Sequence, residues 1–182
     1  MLFFAFFVYV TLISGFVWAR FYYFERHSPE SLLGTFLYDP VVVGHILVSL
    51  WYFSEQPTVQ ASFLLIAVII LILAFMVFWW AVAQSYGLGF AGSSGSTRIV
   101  SSGPFKFVRH PFYISYTLTW LGACILFNSF LLWITLLYLA AFYVTAAIKE
   151  EKQLVSGNMD LYSAYQKNVG MFIPRIIKWK KK

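Results

Sequence analysis

The sequence predicts an all-α integral membrane protein of about five transmembrane helices. The last two form a helical hairpin, and a cytoplasmic C-terminal tail follows. Three observations predict this. Hydrophobic residues make up 60% of the chain and charged residues 11%, against roughly 45–50% and about 25% in soluble domains. The mean hydropathy of +0.74 points the same way. The apolar residues are also gathered into runs near the length a helix needs to cross a bilayer, about 20 residues at 1.5 Å each. Disorder and collagen are excluded by this apolarity, and a disulfide scaffold by the lone Cys124.

The elements follow in chain order. Leu2 to Ala19 is the first span. No Lys or Arg precedes the run and no small-residue cleavage pattern follows it, so it is expected to be retained rather than cleaved as a signal peptide. Arg20 to Pro40 reads as a mixed loop. The second span, Val41 to Phe53, is short, or begins around Ser31 to Tyr38 with Pro40 as a kink. Ala61 to Ala83 is the third and clearest, without a charge. Tyr86 to Arg109 is a polar, Gly/Ser-rich loop. Pro111 to Phe127 is the fourth span, with proline in the first turn, where a missing N–H costs nothing. Asn128-Ser129 is a tight break, and Phe130 to Ile148 is the fifth span. The chain is thus one membrane domain, 1–182. It comprises three N-terminal spans in 1–84, a cytoplasmic loop in 85–110, a helical hairpin in 111–150 and a cytoplasmic tail in 151–182.

Charge placement tests this map. The 13 Lys and Arg outnumber seven Asp and Glu, for a net +6. Arg20 and Arg26 lie between spans one and two. Arg98, Lys106 and Arg109 lie between three and four, and the rest follow span five. Every basic residue therefore shares one side of a five-span arrangement, whereas four or six spans would divide them. The positive-inside rule makes that side cytoplasmic, with the N-terminus out and the C-terminus in. That places the protein in the inner or plasma membrane of a prokaryote, or the endoplasmic reticulum of a eukaryote. The basic excess then reports topology, and no nucleic acid partner is expected. The run Lys178-Trp179-Lys180-Lys181-Lys182 either rests on anionic headgroups, at about 1 kcal/mol per lysine, or solubilises the end.

Gly87-Leu88-Gly89-Phe90-Ala91-Gly92 matches GxGxxG. A dinucleotide fingerprint needs a preceding strand, a following helix and an acid about 20 residues on. Here a membrane helix precedes, a Ser/Gly loop follows, and no acid comes before Glu150. The segment reads instead as a loop whose small residues let backbone approach a ligand. His27, His45 and His110 lack metal-ligand spacing, so no metal is expected. His45 reads as a helix-packing hydrogen-bonder. Cys124 reads as a small buried hydrophobe, and Trp51, Trp79 and Trp80 as interfacial belt.

Two polar segments carry the chemistry. The first runs from Ser101 to Tyr113 and holds Arg109 and His110 at the N-terminal mouth of span four. The second is Lys149-Glu150-Glu151-Lys152. A hairpin turning at Asn128 returns Glu150 and Glu151 to the face from which His110 departs. A helix N-terminus favours an anionic group and carboxylates a cationic one, so the cluster suits a zwitterionic ligand. The alternative is interfacial charges that snorkel and pair across the hairpin.

Gly103-Pro104-Phe105-Lys106-Phe107-Val108-Arg109-His110-Pro111-Phe112-Tyr113 resembles the GPYRYVRHPxY segment of the isoprenylcysteine carboxyl methyltransferase family, which is related to the phospholipid N-methyltransferases. Glu150-Glu151 resembles that family's glutamate pair. Tyr162, Tyr165, Val169 and Phe172-Ile173-Pro174-Arg175 resemble its closing YxxY…V…FIPR pattern. The resemblance covers Val100 to Arg175. Ser115 stands where a glycine is common, Asn158-Met159 where Phe-Gly is usual, and Gly170 where proline is usual. The His-Pro-x-Tyr core and the glutamate pair are intact.

The resemblance implies S-adenosyl-L-methionine as cofactor and S-adenosyl-L-homocysteine as product, bound in the C-terminal half and closed over by the tail. Carried over residue by residue, it implies cofactor contacts from Gly103, Pro104, His110, Pro111, Tyr113, Glu150, Glu151, Tyr162 and Tyr165. It also implies a lipophilic acceptor entering from the bilayer, most simply the carboxylate of an isoprenylcysteine-like lipid. Such a carboxylate is already ionised near neutral pH, and Arg109 or Arg175 are the candidates to hold it bidentately. An amine acceptor would need a base, and Glu150 is the nearest. Three alternatives stay open: a phospholipid N-methyltransferase, an NADPH-dependent membrane sterol-type reductase, and a non-catalytic membrane scaffold.

Overall fold

The computed structural model describes residues 1–23, 32–55, 58–85, 99–157 and 159–175. Helix α1 (Leu2–Trp18) continues into a π-helical turn, Ala19–Tyr23. It is followed by α2 (Leu32–Glu55), α3 (Ala61–Ser85), a 3-10 turn (Gly103–Lys106), α4 (Pro111–Phe127), α5 (Phe130–Gly157) and α6 (Met159–Asn168). Among the described residues there is no strand, and one isolated parallel bridge joins Val108 to Gly170.

Four of these helices are long and apolar enough to cross a membrane: Leu2–Tyr23, Phe36–Glu55, Ala61–Ser85 and Phe130–Ser156. The fourth expected span, α4, keeps its expected limits but has only 17 residues, about 26 Å of helix. It is also the most enclosed helix. Pro111, Phe112, Ser115, Thr119, Trp120, Ala123, Cys124 and Leu126 are all buried, and it packs against α3, α5 and α2. Protein rather than lipid surrounds much of its length. Small residues let α3 and α4 meet closely. A Cβ on Gly122 would lie 2.9 Å from Leu71 Cδ2, and the Ser115 hydroxyl donates to the Ala74 carbonyl at 2.9 Å.

The structure takes one of the two starts expected for α2 and departs from expectation at the end of α5 and in the tail. Helix α2 takes the earlier start, at Leu32, and carries Pro40 inside it. Helix α5 runs past Ile148 to Gly157. Its 28 residues span about 42 Å against a hydrocarbon core of about 30 Å, so its last turns stand beyond the hydrocarbon core, among the headgroups, and carry Glu150 and Glu151. The tail contains α6, which interleaved polar and apolar residues did not announce. Tyr162 and Val169 are buried and Tyr165 half-buried, a helical spacing that turns one face inward.

Helix ends alternate between two faces of the bundle. At one face, the Tyr23 hydroxyl meets the Val82 carbonyl at 2.9 Å and Ser85 Oγ at 2.8 Å, joining the ends of α1 and α3. At the same face, Tyr38 of α2 meets Tyr143 of α5, hydroxyl to hydroxyl, at 3.1 Å. At the other face, Phe53 packs on Phe6 and Phe127. There Asn128 turns the hairpin with φ 46°, and its N–H caps α4 on the Cys124 carbonyl. The described basic residues Arg20, Lys106, Arg109, Lys149, Lys152, Lys167 and Arg175 all belong to segments at the first face. Arg26, Arg98, the Lys178–Lys182 run and the Gly87–Gly92 segment lie outside the described residues. Away from this face, His45 Nδ1 pairs with Thr135 Oγ1 at 2.8 Å, joining α2 to α5.

Candidate active site

The site is built where α4 begins and α5 leaves the membrane. Pro111 opens α4 and His110 is its N-cap residue, but no side chain caps the first turn. Arg109 precedes it with a planar fork. Its Nε donates to Glu151 Oε1 at 2.7 Å and its Nη2 to Glu151 Oε2 at 3.0 Å, a bidentate pair. Its Nη1 donates to the carbonyls of Gln166, at 3.2 Å, and Val169. The pair is deeply buried, at 7% exposure for each side chain.

Glu151 also accepts from His110 Nε2 at 2.9 Å and from Gln166 Nε2 at 2.8 Å. Both of its oxygens are thus doubly engaged, which fills the acceptor capacity of a carboxylate. Its neighbour Glu150 differs. Its Oε2 lies 3.5 Å from the Tyr113 hydroxyl and 3.8 Å from His110 Nδ1. Both are long for hydrogen bonds, and no closer partner is seen among the described residues. Burial pushes the His110 imidazole below its ordinary pKa, against the pull of Glu151. The ring is therefore neutral near pH 7. The Glu151 carboxylate accepts the Nε2 proton, which leaves Nδ1 with a lone pair facing Glu150.

Aromatic rings continue inward from this gap. His110 stacks on Tyr113 at 5.5 Å, and Tyr113 stacks on Tyr143 at 5.3 Å. The Tyr143 hydroxyl is fixed by Trp120 Nε1 at 3.0 Å.

The tail closes one side. The Arg109 N–H donates to the Gly170 carbonyl at 2.9 Å and the His110 N–H to that of Met171 at 3.2 Å. Gly170 is required by a close approach, since a Cβ there would lie 1.8 Å from the Ile173 carbonyl oxygen. The Tyr165 hydroxyl donates to the Phe105 carbonyl, tying α6 to the 3-10 turn. Burial pushes that hydroxyl's pKa up to about 12, so it stays a donor. Gly103 begins the turn at φ 56°, and a Cβ there would meet Gln84 Cγ at 2.3 Å. The turn is thereby seated on the end of α3, with Pro104 buried beneath it.

The structure therefore brings together Arg109, His110, Pro111, Tyr113, Glu150 and Glu151. Tyr165 and Tyr162 sit in the tail that covers them, Tyr162 buried. Gly103 and Pro104 shape the turn beneath the tail. Arg175 is elsewhere: its Nη1 donates to the Lys167 carbonyl at 2.7 Å, in an exposed position at the end of α6. Arg109 is present, but its fork is spent on Glu151 and the tail. Gln166 was not foreseen. A lone amide in a polar segment carries no signal of its own. Tyr143 was not foreseen either, although its place seven residues before Glu150, on the same face of one helix, is a signal that could have found it.

The model of the isoprenylcysteine carboxyl methyltransferase family matches residues 64–156, half of the chain, and spans α3, α4 and the glutamate pair. The chain belongs to the isoprenylcysteine carboxyl methyltransferase family. Membership makes methyl transfer the reaction class, and the apolar helices make the protein an integral membrane one. The matched stretch contains Arg109, His110, Tyr113, Glu150 and Glu151 and ends before α6. The methyltransferase match thus reaches further toward the N-terminus than the motif resemblance and stops short of Tyr162, Tyr165 and Arg175. A comparison with curated proteins finds no match.

Two departures from the family pattern have local reasons. Ser115 is small enough for the α3–α4 contact and adds a hydrogen bond to it. Gly170 removes the side chain that Ile173 would meet. The third, Asn158-Met159, involves Asn158, which lies outside the described residues.

Proposed function

We propose that this protein transfers a methyl group from S-adenosyl-L-methionine to a lipophilic acceptor at the mouth of the α4–α5 hairpin. The acceptor we favour is the carboxylate of an isoprenylcysteine-like lipid. The observation that carries this reading is the unequal glutamate pair. Glu151 is fully engaged, while the Glu150 carboxyl and the His110 Nδ1 lone pair face one gap with only long contacts. Such a gap suits an ammonium or hydroxyl donor. The uncapped first turn of α4 beside it suits a carboxylate. A zwitterionic amino acid end fits this donor and acceptor set.

The cofactor supplies a methyl group already activated on a sulfonium, so this chain's residues have mainly to orient and to exclude water. Glu150 and His110 orient the amino acid end. The stacked rings of His110, Tyr113 and Tyr143 wall the inner side of the gap and hold the imidazole in place. The 169–171 segment excludes water from the Arg109 side. A carboxylate acceptor needs no base, being ionised near neutral pH. Arg109 serves by positioning Glu151 and the tail. The basic face is cytoplasmic on this reading, with the N-terminus out, so that the water-soluble donor meets the lipid acceptor at the membrane boundary.

Calorimetric titration of detergent-purified protein with S-adenosylhomocysteine and with NADPH tests the reading. Binding of the first alone is expected. Binding of NADPH alone would replace it with a reductase, and binding of neither would remove both enzymes.

A further inference from the structure

A shallow groove of about 260 Å³ runs between α5 and α6, lined by Ile148, Glu151, Lys152, Val155 and Gln166. The four α5 residues follow the spacing of one helix face. From Ile148 to Val155 that face rises about 10 Å. Ile148, 41% exposed, stands at the expected end of the fifth span. The groove therefore begins at the hydrocarbon edge and climbs through the headgroup layer. Its walls change in the same order, from an apolar Ile148 to a cationic Lys152.

The groove lies on a different face of α5 from the methyl-transfer gap. Glu151 contributes to its wall, whereas Glu150 does not. It is also smaller than the roughly 300–1,000 Å³ of enclosed small-molecule sites, which suits a headgroup and the start of its chains better than a whole cofactor. Charge selects the headgroup. Glu151 is neutralised by Arg109, which leaves Lys152 as the charge of the lining. Lys149 and Lys167, both exposed, flank the lining residues Ile148 and Gln166 in sequence. A basic site at this depth attracts anionic lipid.

We infer that the α5–α6 groove binds one anionic phospholipid of the surrounding leaflet, its phosphate on Lys152 and its upper chain against Ile148. Gln166 and Glu151 belong both to this groove and to the network that holds the tail. The lipid therefore braces α6 against α5, and surface charge in the membrane tightens the tail over the site. The binding does not depend on which methyl donor the protein uses.

Native mass spectrometry of the detergent-purified full chain, titrated with dioleoyl phosphatidylglycerol or dioleoyl phosphatidylcholine, tests the inference without cofactor. One phosphatidylglycerol is expected to bind at least tenfold more tightly than phosphatidylcholine. Lys152→Glu should abolish the preference. Lys106→Glu, which alters the same basic face outside the groove, should keep it. Equal binding of the two lipids, or a preference unchanged in Lys152→Glu, would overturn the inference. So would a preference lost equally in Lys106→Glu, which would make the effect diffuse surface charge. Glycerol phosphate is expected to compete at least tenfold more weakly than the lipid. Equal competition would mean a free-anion site with no role for the chain.

Discussion

Glu150 and Glu151 are adjacent in sequence, yet they face two regions of different character. On the Glu151 side the carboxylate is saturated. Arg109, His110 and Gln166 fill the carboxylate, and the remaining Arg109 donor is bound to carbonyls of the tail. On the Glu150 side the contacts are long and an imidazole lone pair stands unanswered. Successive helical residues point about 100° apart, so one helix can present a structural carboxylate and a functional one side by side. A saturated network holds a shape, and an unsaturated one has capacity for a ligand. Each of the following changes should act on one region and spare the other.

The largest effect is expected from Glu151→Ala, which leaves the Arg109 guanidinium buried without its carboxylate. Breaking a buried pair in this way costs about 3–5 kcal/mol. The tail should release, and the amides of Arg109 and His110, bonded to Gly170 and Met171, should lose hydrogen-exchange protection. Full protection in the variant would show that the pair does not hold the tail.

Gly170→Ala attacks the same region from the other partner. With the Ile173 carbonyl 1.8 Å from the added Cβ, the turn must open. Protection at Arg109 and His110 should fall, though less than in Glu151→Ala, because the ion pair remains. Wild-type exchange rates would mean that the turn relaxes without undocking.

Glu150→Gln should act on the opposite region. It preserves shape and breaks no short bond, so thermal stability should change by no more than about 0.5 kcal/mol. S-adenosylhomocysteine affinity should drop at least about tenfold, roughly 1.4 kcal/mol. Unchanged affinity would assign the cofactor's amino acid end to other residues.

The two regions were unequally legible in the sequence. Membrane character and the limits of α4 followed from apolar runs and from Pro111 and Asn128, which act locally. The meeting of His110 with the glutamates followed from hairpin geometry. The division of labour between Glu150 and Glu151 did not. It depends on the rotational phase of α5 beyond Ile148 and on Gln166, a polar residue that no apolar pattern marks. The sequence leaves the Arg109 fork open to an acceptor or to a glutamate across the hairpin, because it shows a charge without its partner, and the structure takes the second. The short bridge between Val108 and Gly170 pairs residues distant along the chain, and no periodicity reports such a contact.

His110 touches both regions, so pH should sharpen the comparison. Its folded pKa lies below the ordinary value of about 6.5 because burial disfavours the imidazolium. The unfolded state then binds the extra proton first as pH falls, and stability is lost on acidification. The contribution is complete above about pH 6.5 and declines as pH falls toward the folded value. Arg109, Glu150, Glu151 and Tyr113 surround the ring. Burial pushes the Glu150 carboxyl up to about 8, and its titration runs the other way in the same range, so the comparison is with His110→Asn: from about pH 7.5 to 5.5 the wild type should lose stability relative to that variant. Equal slopes would place the titration on another group.

The smallest effect is expected at Arg175, a residue singled out for its motif. Its guanidinium caps the Lys167 carbonyl at the end of α6 and is exposed. Its bond lies outside the network around Glu151, and solvent can replace it. Arg175→Ala should therefore change S-adenosylhomocysteine affinity less than about twofold, under roughly 0.4 kcal/mol. Hydrogen-exchange protection at Arg109 and His110 should stay intact. A tenfold loss in affinity with protection intact would show that Arg175 swings onto the ligand when it binds. A loss of both would instead make the α6 end part of the Glu151 region. Either result would redraw the boundary between the two regions at the tail, where the family match no longer reaches.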